Sequence, residues 1–230
     1  MKTEFTVGSV GIRRFGLADA APLFEAVSET KSDLTRWMAW CKPGYSRNHS
    51  AAYVAERDAN WKKGQHYSFV IYDVKTGELL GSVGINCINH FHRFANLGYW
   101  VRAERANRGI ATAAVKLAAR FGMGELQLNR LEIVTAIKNR ASQRVAEKAG
   151  ARREGVLRNR LVIQGKSHDA VIFSLTTREA GSGVAPQFGD RDAAARRPDP
   201  HGAGDTFRSA KRTMKATMRA NRQPRSGARR

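Results

Sequence analysis

The sequence predicts an α+β domain: a mixed, mostly antiparallel sheet of about seven strands flanked by helices. Three observations lead there. Short runs rich in β-branched and aromatic residues come in two pairs, at 66–85 and 154–175, and each pair is joined by turn chemistry. Ahead of and between those pairs, the apolar spacing lengthens to the three-and-four interval of helices. In mid-chain, a strand, a basic loop containing glycine and a helix follow one another without interruption.

Val10 to Phe15 opens the chain as a short strand, and Asp19 is placed to cap a helix whose Leu23, Phe24 and Val27 share one stripe. Leu34 to Trp40 is aromatic and reads as helical; after the Pro43–Gly44 turn a second helix starts at Ser46 and runs to Trp61. Trp37, Trp40 and Trp61 either line a substrate mouth or fill core, and residue type leaves both readings open. The period then shortens to that of strands. His66–Tyr72 and Leu79–Ile85 flank Asp73–Glu78, which has hairpin turn chemistry. After an irregular His90–Arg93 segment, Ala95–Val101 is a strand, Arg102–Gly109 a polar loop, and Ile110–Phe121 a helix. Arg130–Ala136 is the next strand and Ala141–Lys148 a short helix stopped by Gly150. Glu154–Ile163 and Ala170–Leu175 form a second hairpin about Gln164–Gly165–Lys166, and the folded body closes near Thr177.

A chain of 230 residues suits one domain with an appendage. The expected division is a folded domain over 1–178 and a disordered linker with a basic tail over 179–230. Residues 179–205 are rich in Gly, Ala, Pro, Asp and Arg, too poor in large apolar groups to offset the entropy of ordering. Residues 206–230 carry nine Lys and Arg and no acid, yet the net charge of +20 is large enough that the body stays basic without them. Such a field favours a polyanionic counterpart: nucleic acid, the ribosome or a phosphorylated cofactor. No apolar run approaches a membrane span, and the start, Met1-Lys2-Thr3-Glu4-Phe5, lacks the pattern of a secretory signal. A cytoplasmic location is expected, with Cys41 and Cys87 reduced and serving as packing residues; their separation has no metal-ligand spacing.

The chemistry concentrates in residues 98–112. A helix N-terminus presents backbone N–H groups without intrahelical partners at the positive end of the dipole, and so holds a phosphate without a dedicated side chain. Gly109 lets the backbone approach closely and Arg108 adds charge; one glycine before one helix is equally compatible with a plain structural loop. It is neither a Walker loop nor a dinucleotide fingerprint, because the glycine spacing and the Lys-Ser/Thr pair are missing.

Arg108-Gly109-Ile110-Ala111-Thr112 resembles the acetyl-CoA pyrophosphate loop of GNAT acetyltransferases, and Leu97-Gly98-Tyr99-Trp100 resembles the strand before it. Asn139 to Gly150 resembles the Asn-x-x-Ser-x-x-x-x-Glu-Lys-x-Gly element placed around the pantetheine arm. With the aromatic 34–40 segment and Gly165-Lys166-Ser167-His168-Asp169, residues 8–177 are similar to the RimJ/RimL group, which acetylates N-terminal amines of ribosomal proteins. The resemblance implies a V-shaped splay between the central strands and acetyl-CoA as acetyl donor. It implies that main chain at Asn107, Arg108, Gly109, Ile110, Ala111 and Thr112 cradles the pyrophosphate, and that Trp100 and Val101 pair with pantetheine. Asn139 bonds the cofactor's amide region, Trp37, Trp40 and Tyr99 contact the acceptor, and no metal takes part. Ser142 matches the serine that stabilises the departing thiolate, a role suited to a hydroxyl donor; serine is equally suited to a helix N-cap.

The sequence departs from the family pattern at four places. Ala106 stands at a usual Gln/Arg position, Asn107 replaces a common glycine, Leu161 occupies the place of the group's glutamate, and Asn96 stands where an acid often precedes the Gly-Tyr-Trp strand. No general base is therefore identified; the replacements are Glu154, His168, Asp169, His90 and His92, and Cys87 lacks an adjacent partner for a covalent route. A weak base suits a protein N-terminus, whose pKa of about 7.7 to 8 leaves part of it unprotonated at neutral pH, better than a lysine near about 10.4. The implied acceptor is thus a protein or peptide N-terminus, with a small amine as the alternative. A ribosome- or nucleic-acid-binding protein with little catalysis is a third reading, anchored by the tail, and the chain is expected to be a monomer or homodimer without membrane contact.

Overall fold

The structure, a computed structural model, describes residues 1–177; the expected linker and basic tail lie outside the described residues. Eight strands form one sheet: β1 (Glu4–Val7), β2 (Val10–Arg14), β3 (Tyr67–Asp73), β4 (Leu79–Asn89), β5 (Phe94–Val101), β6 (Arg130–Ala136), β7 (Arg152–Ile163) and β8 (Lys166–Thr176). Their order across the sheet is β1-β2-β3-β4-β5-β6-β8-β7. Five helices complete the fold: α1 (Ala20–Glu29), α2 (Lys31–Trp37), α3 (Arg47–Lys62), α4 (Ile110–Gly124) and α5 (Arg140–Lys148). Among the described residues no helix is long and apolar enough to cross a membrane.

Every neighbouring pair is antiparallel except β5 and β6. That parallel pair is short: Phe94, Ala95 and Asn96 meet Arg130, Leu131 and Glu132, and the register ends there. Past it β5 stays paired with β4 as far as Val101, and β6 stays paired with β8 as far as Ala136. The two strands therefore diverge, and a V opens between 97–101 and 133–136. Main-chain groups that would have closed this ladder are left facing the gap.

Two apolar clusters flank the sheet. One face packs Phe69, Ile85, Leu97 and Leu131 against Val115, Ala118 and Phe121 of α4. The α4 helix lies so close that a Cβ on Gly122 would stand 2.8 Å from Ile85 Cδ1, so any larger residue there must displace the Ile85 side chain. The other face packs Leu23, Val27, Leu34, Cys41 and Val54 from the first three helices against Val70 and Leu79. Trp61 belongs to the first cluster, 7% exposed, with Arg14 stacked 4.4 Å from its ring. Core filling is therefore its role.

Two elements differ from expectation. The sheet has eight strands because β1 pairs with β2 across a turn at Gly8, φ +56°; only Phe5 of that four-residue strand is buried, too little alternation to read. Asp19 makes no side-chain cap on α1. A single 3-10 turn, Leu17–Asp19, intervenes, and the Asp19 carboxylate accepts from Gly16 N at 2.7 Å and from Arg13 at 2.7 and 2.8 Å. The bidentate Arg13 fork competes successfully with the helix start.

Candidate active site

The strand that opens the V runs through a 3-10 turn at Ala103–Arg105 into the N-terminus of α4. Asn107 and Gly109 both adopt positive φ, +60° and +78°, which turns the chain sharply before the helix. Gly109 is the N-cap and no side chain caps the helix. The first intrahelical bond is Ala113 N to Gly109 O at 2.9 Å, so the N–H groups of Ile110, Ala111 and Thr112 have no partner among the described residues. Arg102 and Arg105 are drawn aside onto Glu29 and Glu78, whereas Arg108 makes no ion pair among those residues. The result is an unsatisfied donor cluster with one free cation.

Above the V, α5 begins at Asn139, whose side chain accepts from Ser142 N at 3.1 Å. Asn139 is thus the N-cap, and the capping reading of Ser142 is corrected: three residues on, Ser142 is free to use its hydroxyl elsewhere. Tyr99 Oη donates to the Ser142 carbonyl at 2.9 Å and lies 3.1 Å from Ser142 Oγ. Burial pushes the Tyr99 phenol up to about 12, so it stays a protonated donor. One more polar atom faces this region: Thr135 Oγ1, on β6, is buried without a hydrogen-bond partner and its residue lines the cavity described next. Such an orphan in a cavity wall suits a ligand that brings the missing partner.

A cavity of about 760 Å³ occupies the V and extends onto the face covered by α2 and α3. Trp37, Trp40, Tyr45, His49, Tyr53 and Trp100 supply an aromatic wall, with Trp40 5.8 Å from Tyr45 and 6.4 Å from Trp100 between ring centroids. Of the residues selected from sequence, Trp37, Trp40, Tyr99, Trp100, Asn139 and Ser142 line it. Val101 instead packs against the core, and the 107–112 segment lies outside the cavity at the α4 start. Leu161 lines the wall where the resemblance expected a carboxylate.

None of the replacement bases reaches this cavity. Glu154 is held by Arg130, at 2.6 Å to its Oε1, and by Ser174; these bonds, the Arg130 fork first, hold its carboxyl at about 2. Asp169 accepts from Asn159 N at 2.9 Å on the β7–β8 hairpin, where His168 also sits. His90 and His92 are exposed on the turn after β4. Cys87 is corrected as well: it is exposed, at φ +52° on the irregular end of β4, whereas Cys41 is fully buried.

The titratable groups that do line the cavity are Cys87, Glu132, His49, His66, Arg57, Arg160, Tyr45, Tyr53 and Tyr99, and Glu132 is the sole carboxylate among its lining residues. Glu132 sits in register with Asn96, which donates to Asn86 at 3.0 Å, and it accepts from Arg130 Nε at 2.9 Å. His66 is pushed down to about 4, by burial first and then by the neighbouring Arg57 charge, so its ring is neutral. Sequence offered one signal for Glu132, an acid between the apolar Leu131 and Ile133 of a strand; His66 and Arg57 carried none.

The comparisons with known proteins place the fold in a family. The family model described as "Acetyltransferase (GNAT) domain" matches residues 9–152. YdaF of Bacillus subtilis (strain 168), provisionally named a ribosomal N-acetyltransferase, is 30% identical over 178 residues, covering 74% of this chain and 92% of YdaF. The structure of Mycobacterium smegmatis RimJ in complex with CoA-disulfide is similar with a TM-score of 0.68 at 28% identity, covering 75% of this chain and 84% of RimJ. A spermidine N(1)-acetyltransferase of Escherichia coli (strain K12) is 33% identical over 95 residues, 41% of this chain and 51% of that enzyme.

Proposed function

The chain belongs to the GNAT acetyltransferase family and uses acetyl-CoA as donor, and on that premise we propose that its acceptor is the N-terminal α-amine of a protein, a ribosomal one among the candidates. When bound, acetyl-CoA supplies an acyl group carried on a sulfur leaving group. The residues present fit it: the free N–H groups of Ile110, Ala111 and Thr112 with Arg108 suit its diphosphate, the open edge of β5 at Trp100 and Val101 suits the amides of its arm, and Asn139 keeps its amide nitrogen available beside Ser142.

In this reading Ser142 donates its hydroxyl proton toward the sulfur as negative charge develops, and Tyr99 holds the serine in place by donating to its carbonyl at 2.9 Å. Glu132 accepts the proton of the incoming ammonium, with the Asn96 carboxamide beside it to orient the nitrogen. The aromatic wall excludes water and grips the first residues of the acceptor chain.

The observation that supports an α-amine over a polyamine is the cavity's charge: one carboxylate against two arginines, Arg57 and Arg160, in a strongly basic chain. The similarity to a spermidine acetyltransferase favours the small-amine reading instead, over less than half of the chain. Incubating the full chain with acetyl-CoA and either an Ala- or Ser-starting peptide or spermidine, and following thiol release, separates them. The reading expects peptide turnover at least about ten times that of spermidine in kcat/KM, a difference of about 1.4 kcal/mol in transition-state binding. A cytoplasmic location belongs to the same proposal, as does a role for the basic segment 206–230 in holding the enzyme to a polyanion such as the ribosome.

A further inference from the structure

The floor of the acceptor cavity holds a cation with no buried counter-charge. Arg57, on α3, is 5% exposed. Its Nε donates to the Tyr53 carbonyl at 2.8 Å, one terminal nitrogen donates to His66 Nδ1 at 3.2 Å and to Ser68 Oγ at 3.4 Å, and the other meets Glu56 at 3.3 Å. Its charged partner among the described residues is thus Glu56, whose side chain is 70% exposed. The remaining partners are neutral: a carbonyl, a hydroxyl, an imidazole that accepts, and the face of the Tyr53 ring, whose centroid lies 3.9 Å from the guanidinium carbon. Taking a guanidinium out of water is costly unless a counter-ion compensates, and an adjacent solvated carboxylate at that distance compensates poorly. These contacts use four of the five guanidinium N–H groups.

The acceptor cavity reaches this group, because Arg57, His66 and Ser68 all line it. Ser68 on β3 is in register with Gly84 on β4, and Gly84 with Gly98 on β5. Along this row, from beneath Arg57 to the edge of the V, two of three positions lack side chains. A Cβ on Gly84 would press on His66 Nε2 at 3.2 Å, and one on Gly98 would find nothing nearer than 3.9 Å. The His66 ring thus lies over Gly84 and the space over Gly98 is open, and Arg57, His66 and Ser68 line the same cavity as the V end of the row.

Resting on the α-amine reading above, we propose that Arg57 is an anion subsite of the acceptor cavity, and that the acceptor carries an acidic side chain at its second or third residue. The row spans two interstrand spacings, about 10 Å, from Ser68 to Gly98. An extended chain advances about 3.3 Å per residue. An amine at the V therefore puts the side chain of residue two or three, not the first residue's own groups, over the guanidinium. A carboxylate there takes the vacant N–H and completes a charge-assisted pair in a site already largely dry.

The test uses the full chain with a panel of Ala-starting peptides carrying Glu, Gln or Lys at position two, three or four. Glu at position two or three is expected to exceed Gln in kcat/KM by about ten-fold or more, with the difference in KM, and Lys is expected to fall below Gln. The ratio of Glu to Gln should collapse toward one in Arg57→Met and be restored in part by Arg57→Lys. Equal rates for Glu and Gln in the unmodified chain overturn the subsite without touching the α-amine reading. If no peptide is acetylated but 6-aminohexanoate is preferred to hexylamine, the subsite stands and the peptide acceptor falls. If neither peptides nor the charged amine is preferred, both fall.

Discussion

Tyr99 and Ser142 belong to elements 43 residues apart, yet the phenol reaches the serine twice, donating to its carbonyl at 2.9 Å and approaching its hydroxyl at 3.1 Å. The contact bridges the open side of the V, where β5 and β6 no longer pair, and so joins the strand that carries the donor site to the helix that carries the hydroxyl. Ser142→Ala should lower kcat by about 100-fold, the typical cost of one donor at developing charge, with KM for acetyl-CoA nearly unchanged. Tyr99→Phe should lower it by a smaller factor, because the serine remains but is held less firmly. Steady-state kinetics on an Ala-starting peptide reads both.

The N–H of Ala111 is one of three free donors at the start of α4. Ala111→Pro removes that donor, and proline is tolerated in the first helical turn. The expected result is a rise of about ten-fold in the dissociation constant for acetyl-CoA by calorimetry, with thermal stability changed little. A loss of stability without a loss of affinity would mean that this N–H serves only the fold.

His66 titrates at about 4 in the folded chain against 6.5 when unperturbed. Between those values the unfolded chain binds the extra proton, so the contribution to stability is complete above about pH 6.5 and is lost progressively as pH falls toward 4. With allowance for the ring's partial exposure, the loss should amount to about 1 to 2 kcal/mol. Urea midpoints of the native chain should fall across that window, and those of His66→Gln should fall less.

Glu132→Gln keeps the shape and hydrogen-bonding reach of the side chain and removes its basicity. On a peptide acceptor kcat should drop by about 100-fold at neutral pH, and part of the loss should return as pH rises and more of the amine is already free. A variant whose deficit stays constant with pH would assign the carboxylate to positioning alone.

Local chemistry was legible in the sequence and assembled chemistry was not. The φ of +50° at Gln164 is not signalled by glutamine, but the second hairpin could be located from Gly165, whose φ of +75° is a demand that residue type expresses. The α4 start announced itself through Gly109 for the same reason. Asn139 and Ser142 are both good caps three residues apart, and only the geometry, with Asn139 accepting from Ser142 N, decides between them. Arg57, His66 and Glu132 come from α3, the start of β3 and β6, and they share a cavity only because the sheet's register brings Ser68, Gly84 and Gly98 into one row and Asn96 beside Glu132. Residue spacing carries no trace of that. The bases chosen from sequence failed for a complementary reason: Arg130 holds both Glu132 and Glu154, but Glu154 takes the two terminal nitrogens of the fork and lies outside the cavity that Glu132 lines.

The most direct measurement is the site of acetylation on a peptide that begins with alanine and contains one internal lysine, treated with the full chain and acetyl-CoA and then sequenced by tandem mass spectrometry. The account predicts a single acetyl group on the alanine nitrogen, and none when that nitrogen is blocked beforehand. Acetyl on the lysine, or no transfer to any peptide amine under conditions where the chain binds acetyl-CoA, would contradict it.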